Sequence, residues 1–186
     1  LNHGTRETTD INAMRGLTQK NFRENVAEYI LKLFYQYEDV DAAVPVLFEF
    51  VGKSFKMGRM DVSVFSEDDT YYEILYEWCD EGVSPLKKEG KKFFADEWSS
   101  IKAQLDENDI LLCEEAEKGI PDYLENDHMK VRGVKSTMLC YIVEGGKRKA
   151  VLAFEYFKEK HIFTKEEKDT IRTISDTISL FVLRAS

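Results

Sequence analysis

Hydrophobic positions change period several times along the chain, and each change predicts an element. Val26, Ile30, Leu33 and Tyr37 recur at spacings of four, three and four, one apolar stripe on a helix. Phe22, Tyr29 and Phe34 widen the stripe, which predicts a helix packed on more than one partner. Asn21 followed by Glu24 resembles a capping box with Asn in place of Ser or Thr. Residues 1–18 before it are polar with little periodicity and are expected to form an arm or a loosely held helix. Glu38 to Asp41 read as a break. A second helix follows, with Asp41 as its cap and Pro45 near its first turn. Val44, Leu47, Phe48, Val51 and Phe55 share one face of it, and Gly58 closes the region.

From Arg59 the period is two. Met60, Val62 and Val64 alternate with Asp61, Ser63 and Phe65. After the polar turn Ser66–Asp69, Tyr72, Ile74, Tyr76 and Trp78 alternate with Tyr71, Glu73, Leu75, Glu77 and Cys79. The two runs predict an antiparallel hairpin. Residues 80–95 read as loop. Trp98, Ile101 and Leu105 lie on one face of a short helix, Ile110–Cys113 is a short strand, and residues 121–126 form a short helix around Pro121. Strands at 135–144 and 147–157 flank Gly145-Gly146, a strong hairpin signal. Thr164 and Glu167 form a capping box, and Ile171, Ile174, Ile178 and Phe181 follow as an a/d seam. Two helices, two strands, an insert, two strands and a final helix make an α+β design. Its antiparallel sheet is expected to carry the terminal helices on one face and the insert at about 96–127 over the other.

Composition narrows the function classes. The 186 residues are 43% hydrophobic and 33% charged, with a formal net charge of −9. That balance argues against a broad basic face for nucleic acid or anionic lipid. No apolar run is long enough to span a membrane. Cys79, Cys113 and Cys140 are scattered and include no CxxC pair, so we expect reduced thiols in a cytoplasmic protein, with no zinc site. A chain starting at Leu1 is expected to be an excerpt or a processed product. Between Asp106 and Asp127 stand nine carboxylates and one lysine, a local charge of −8, followed by Lys130, Arg132 and Lys135. This segment is either a lid for a cation or, the favoured reading, a solvated loop balanced by the basic stretch.

The succession Arg132-Gly133-Val134-Lys135-Ser136, the Gly-Gly turn, the return strand Ala150–Glu155 and the helix start Phe163-Thr164-Lys165-Glu166-Glu167 resembles the C-terminal half of a GAF domain. The resemblance covers roughly residues 20–186, so the domain is taken as 19–186 after the 1–18 arm. It implies a PAS-related sensory module, non-enzymatic, of the kind found in bacterial diguanylate cyclase signalling proteins, controlling a linked output domain. By analogy, Ser136, Met138 and Cys140 share a strand face that Trp98, Ile101, Leu105, Tyr123 and Leu124 cover, enclosing a pocket for an unidentified small molecule. Val26, Ile30, Leu33, Tyr37, Ile171, Ile174, Ile178 and Phe181 are expected at a homodimer interface. No resident cofactor or metal is expected. The cyclic-nucleotide signature of the family is not found, and no cysteine precedes a histidine as in bilin carriers. His3, His128 and His161 are poorly placed for haem. Two alternatives stay open. One is a ligand-free dimerisation module with Trp98, Tyr123 and Met138 filling the space. The other is a thiol-dependent reductase of free methionine sulfoxide, although His128 stands where that family's spacing wants a cysteine.

Overall fold

In a computed structural model, residues 25–94, 99–116 and 132–183 are described. Helix α1 (Val26–Gln36) starts at Asn25, whose side chain makes no cap hydrogen bond. Helix α2 (Val40–Ser54) is capped by Asp39, which accepts from the Asp41 backbone N–H at 2.9 Å. The cap is thus two residues earlier than the sequence predicts. Pro45 consequently lies inside the helix rather than at its first turn. The Asn21–Glu24 capping box lies outside the described residues.

Strands β1 (Arg59–Phe65), β2 (Tyr71–Cys79), β3 (Phe93–Phe94), β4 (Ile110–Cys113), β5 (Ser136–Glu144) and β6 (Lys147–Tyr156) form one sheet in the order β3-β2-β1-β6-β5-β4, with every neighbour antiparallel. The short β3 falls in the stretch expected to be loop. Gly145 and Gly146 close the β5–β6 hairpin at φ 57° and 77°, the left-handed pair that a tight two-residue turn demands. Helix α3 (Ser99–Asn108) lies in the insert. Helix α4 (Lys165–Ile178) ends the domain and continues into a π-type turn, Ser179–Leu183. The fold class is therefore the predicted α+β sheet with helices.

The sheet carries a separate core on each face. On the helix side, Met60, Val62, Met138, Ile142, Leu152 and Phe154 are packed with the buried stripes of α1, α2 and α4. A Cβ on Gly52 of α2 would meet the Trp78 ring at 2.2 Å, so this helix lies on the sheet only because position 52 has no side chain. On the other side, Ile101 and Leu105 of α3 pack with Leu111, Leu139, Tyr141, Val151 and Ala153. One predicted face does not hold. A β-bulge skips Leu75, so Tyr76 pairs with Val62 while Ile74 pairs with Ser63. Tyr76 and Trp78 then belong to the helix side, whereas Tyr72 packs on the insert side. One extra residue reverses the parity of everything beyond it.

The α4 capping box is present on both arms: the Glu167 N–H donates to Thr164 Oγ1, and the Thr164 N–H donates to Glu167 Oε2. The other oxygen of this buried carboxylate accepts from the Tyr156 hydroxyl at 2.9 Å and lies 2.7 Å from His161 Nε2. Glu167 therefore joins α4 to β6 as well as starting the helix. Glu167→Ala is expected to cost about 2–3 kcal/mol, the loss of a cap plus the buried hydrogen bond from the Tyr156 hydroxyl. Glu167→Gln, which can still reach the Thr164 N–H, should lose less. Urea unfolding of the three proteins checks the order.

Candidate functional site

Alternation within β1 and β6 puts charge inside the domain. Met60 and Val62 face the helices, which turns Arg59, Asp61 and Ser63 to the insert side, and Phe154 and Tyr156 do the same for Glu155. Register then aligns two rows across the sheet. Cys113, Thr137, Glu155, Arg59 and Cys79 form one row through successive pairings, and Leu111, Leu139, Ala153, Asp61 and Glu77 form the next.

Arg59 is 1% exposed and Glu155 4%. The Arg59 Nε–H donates to Glu155 Oε2 at 2.7 Å, and its Nη2 group donates to the same oxygen. Nη1 donates to the Ser84 carbonyl at 3.3 Å, and the guanidinium carbon stands 5.0 Å from the Phe157 ring centroid. Glu77 is 3.9 Å from Arg59 Nε and accepts the backbone N–H groups of Leu86 (2.7 Å) and Lys87 (2.9 Å). The guanidinium and Glu77 together fasten the loop after β2 onto the sheet.

Asp61 differs from its neighbours. It is 6% exposed, and among the described residues its one hydrogen bond comes from the Ser63 hydroxyl at 3.1 Å. Burial first, and then the charge of Glu155, push its carboxyl up to about 7, against the opposing pull of Arg59. Thr137, fully buried in the same face, has a hydroxyl oxygen with no hydrogen-bond partner among the described residues. Thr137 and Asp61 lie two strands and one register row apart on this face, each with hydrogen-bonding capacity unmet among the described residues, where buried polar groups are usually satisfied.

The residues predicted for a pocket are divided by the sheet. Ile101 and Leu105 are buried on the insert face as expected. Met138 and Cys140 lie on the opposite face, inside the helix-side core, so α3 does not cover them. Ser136 serves as a tie: its hydroxyl donates to the Glu114 carbonyl at 2.7 Å and accepts the His161 N–H at 2.8 Å. Trp98, Tyr123 and Leu124 lie outside the described residues. Both faces of β5 are apolar and covered, so alternation by itself could not say which parity faced the insert. The residues missed (Arg59, Asp61, Glu77, Glu155 and Thr137) did carry a signal, since Asp61 stands between Met60 and Val62 and Glu155 between Phe154 and Tyr156.

The residues expected at a dimer interface are inside this single chain. Ile30, Leu33, Ile171, Ile174 and Ile178 are at most 1% exposed, and Val26 is buried with them. Tyr37 and Phe181 pack against the same core, with Phe181 stacked on Phe34 at 5.2 Å. Within this chain the stripes are part of the helix-side core, the α1 stripe lying against α2 and α4. The exposed apolar residues of these regions are instead Leu31, Tyr35 and Leu180.

The thiols are also kept apart. Cys140 faces the helices and Cys113 the insert, while Cys79 and Cys113 occupy opposite ends of a five-strand row, about 19 Å apart at the usual strand spacing. Burial raises both Cys79, to about 11, and Cys140, the reverse of an activated nucleophile. Where the acidic insert is described, several of its carboxylates pair with cations outside the 130–135 stretch expected to balance them. Asp106 pairs with Lys102 and Arg148, Asp109 with Arg148, and Glu115 with Lys160. Asp106 also accepts the Tyr141 hydroxyl at 2.6 Å. An open groove of about 780 Å³ beside this network is lined by Lys102, Lys147, Arg148 and Lys149 along with Glu67 and Asp69. No cluster of three or more ligating His, Cys, Asp or Glu side chains occurs among the described residues.

No family model matches the sequence, and no curated protein matches it. Solved structures do. The phycocyanobilin-bound GAF domain of a cyanobacterial phytochrome superposes with a TM-score of 0.72 at 16% identity, over 88% of this chain and 94% of that one. The chain has the GAF fold. A GAF domain from an Acinetobacter phosphoenolpyruvate-protein phosphotransferase gives 0.68 at 13% identity over 89% and 95%. A segment of a methyl-accepting chemotaxis protein gives 0.63 at 16% over 86% and 95%. At such identities the likeness concerns the GAF architecture: the sheet order and the helices on it. Among the described residues no helix is long and apolar enough to cross a membrane.

Proposed function

We propose that this chain is a sensory GAF domain, a non-enzymatic regulatory module of a bacterial signalling protein. It binds a small molecule on the insert face of its sheet and controls a linked output domain, for which a diguanylate cyclase is our first choice. The observation that carries the reading is the set of polar side chains buried on that sheet face, Arg59, Asp61, Glu155 and Thr137, of which Asp61 is bonded among the described residues by Ser63 alone. Strands β5 and β6 present that face on one side and the core of α1 and α4 on the other, so a change over Ala153 is one residue from Phe154 and Leu152 in the helix-side core. The solved neighbour with phycocyanobilin bound lends support by example, because its GAF fold holds a small molecule. Signalling requires that the ligand bind two arrangements of these helices with different affinity. A homodimer fits this reading, built on Leu31, Tyr35 and Leu180 rather than on the buried stripes.

A ligand-free dimerisation module is the second reading, favoured by the same exposed side chains, of which Tyr35 is 82% exposed. A thermal-shift screen of the chain against metabolites separates the two. A ligand at about a hundred times its dissociation constant stabilises by about 2.7 kcal/mol, a rise of several degrees for a domain of this size. A library that leaves the melting temperature unmoved, with sedimentation showing a dimer that Tyr35→Glu abolishes, would hand the function to the second reading.

A further inference from the structure

Strands β1 and β6 pair only as far as Val64 and Ala150. Beyond that pair each strand belongs to its own hairpin. The Ser66 N–H donates to the Tyr71 carbonyl at 2.9 Å and closes the β1–β2 turn, while Lys147 pairs with Glu144 across the Gly145-Gly146 turn. The two tips part, and the groove of about 780 Å³ lies between them at the end of the insert face. Phe65, which lines it, is four residues along β1 from Asp61, about 13 Å at the usual rise, so the groove is separate from the buried charges described above. The charges around it fall into two groups. Those beside α3 satisfy one another: Arg148 donates to Asp109 Oδ1 at 2.9 Å and to the Asp106 carbonyl at 2.8 Å, and Lys102 pairs with Asp106 at 2.7 Å. Those on the tips do not. Glu67 and Asp69 on one tip, and Lys147 and Lys149 on the other, make no side-chain hydrogen bond or ion pair among the described residues. Exposed charges on separate elements do meet elsewhere in this chain, as Lys158 and Asp80 do at 3.0 Å and Lys160 and Glu115 at 3.2 Å. Here two anions and two cations line one concave space without meeting.

We propose that this groove binds a small zwitterion with its charges at opposite ends, the ammonium held by Glu67 and Asp69, the carboxylate by Lys147 and Lys149, and the apolar body against Phe65 and Val143. A ligand with a single charge is attracted by one tip and repelled by the other, so gain and loss nearly cancel. A ligand with both charges gains at both ends. The class follows from the balance of two against two: a surplus of either sign would favour a simple cation or a simple anion. The half-buried Phe65 and the exposed Val143 supply the apolar floor that a ligand body needs between its charged ends. The site is additional to the buried polar set on which the sensor reading stands, and it stands or falls apart from that reading.

The test uses three probes with one alkyl body: 4-aminobutanoate, butylamine and butanoate. Their dissociation constants are measured by amide NMR titration of the intact chain, following residues 66–69 and 146–149. 4-Aminobutanoate should bind with a dissociation constant of about 1–10 mM, roughly 5-fold or more tightly than either singly charged probe, as two exposed charge contacts give. That advantage should shrink as salt is added. Lys147→Gln with Lys149→Gln should weaken 4-aminobutanoate to the level of butylamine and leave butylamine no weaker. Glu67→Gln with Asp69→Asn should weaken it to the level of butanoate and leave butanoate no weaker. All four side chains are exposed, and asparagine tolerates the left-handed φ of 56° at position 69, so both double variants should fold. Equal affinity for the three probes, no shift at the two tips with 4-aminobutanoate at about 100 mM, or an unchanged 4-aminobutanoate constant in either double variant each overturns the assignment. The sensor reading is decided by the metabolite library whichever way these titrations fall.

Discussion

Replacing Arg59 with methionine should destabilise the domain by about 3–5 kcal/mol, the largest loss expected from any single substitution on the insert face. Methionine approximates the length of the arginine stem, so packing is largely kept and the effect isolates the guanidinium. Without it Glu155 remains buried at 4% exposure stripped of its ion-pair partner, and Asp61 and Glu77 lose the guanidinium beside them. The loop after β2 also loses its tie through Ser84. Chemical denaturation should show the drop at neutral pH, and Arg59→Met combined with Glu155→Gln should recover part of it. That recovery distinguishes an uncompensated charge from lost packing. If the double variant is as unstable as the sum of the two singles, the ion pair is not the cause.

Helix stripes such as Val44–Leu47–Phe48–Val51 were legible because one face is buried and the other wet. The Gly145-Gly146 hairpin and the Thr164–Glu167 cap were legible because few residues meet their geometric demands. In β5, by contrast, seven consecutive positions from Ser136 to Ile142 are buried. A strand covered on both sides has no alternation to show which side chains face the insert. This placed Ser136, Met138 and Cys140 over a pocket when Thr137, Leu139 and Tyr141 face that way. The Leu75 bulge was hidden for a related reason: it falls in the apolar run Ile74-Leu75-Tyr76, where alternation fixes no parity, and only the pairing register reveals the slip. The α1 and α4 stripes were correctly seen as apolar, but a heptad-like rhythm does not say whether the partner is the chain's own sheet or another copy. Here both stripes are buried in the chain's own helix-side core.

Asp61→Asn should stabilise the domain, by an amount that grows with pH. The carboxyl titrates near 3.8 when the chain is unfolded and is pushed up to about 7 in the fold, chiefly by burial and then by Glu155. Between those two values the native state holds a proton that the unfolded state has released, so stability falls as pH rises through this window. Below it both states carry the proton and the group costs nothing through charge. Above about 7 the full cost of a buried, poorly paired carboxylate is present. Asparagine is neutral throughout and can still accept from Ser63. Urea unfolding of the two proteins should therefore agree closely near pH 4 and separate progressively, Asp61→Asn leading by about 2–4 kcal/mol at pH 8. A difference that stays constant from pH 4 to 8 would show that Asp61 does not titrate differently in the fold. The expected sign also bears on function. A carboxylate whose loss would make the domain more stable fits the proposed sensor reading, in which the group serves a bound ligand rather than the resting fold.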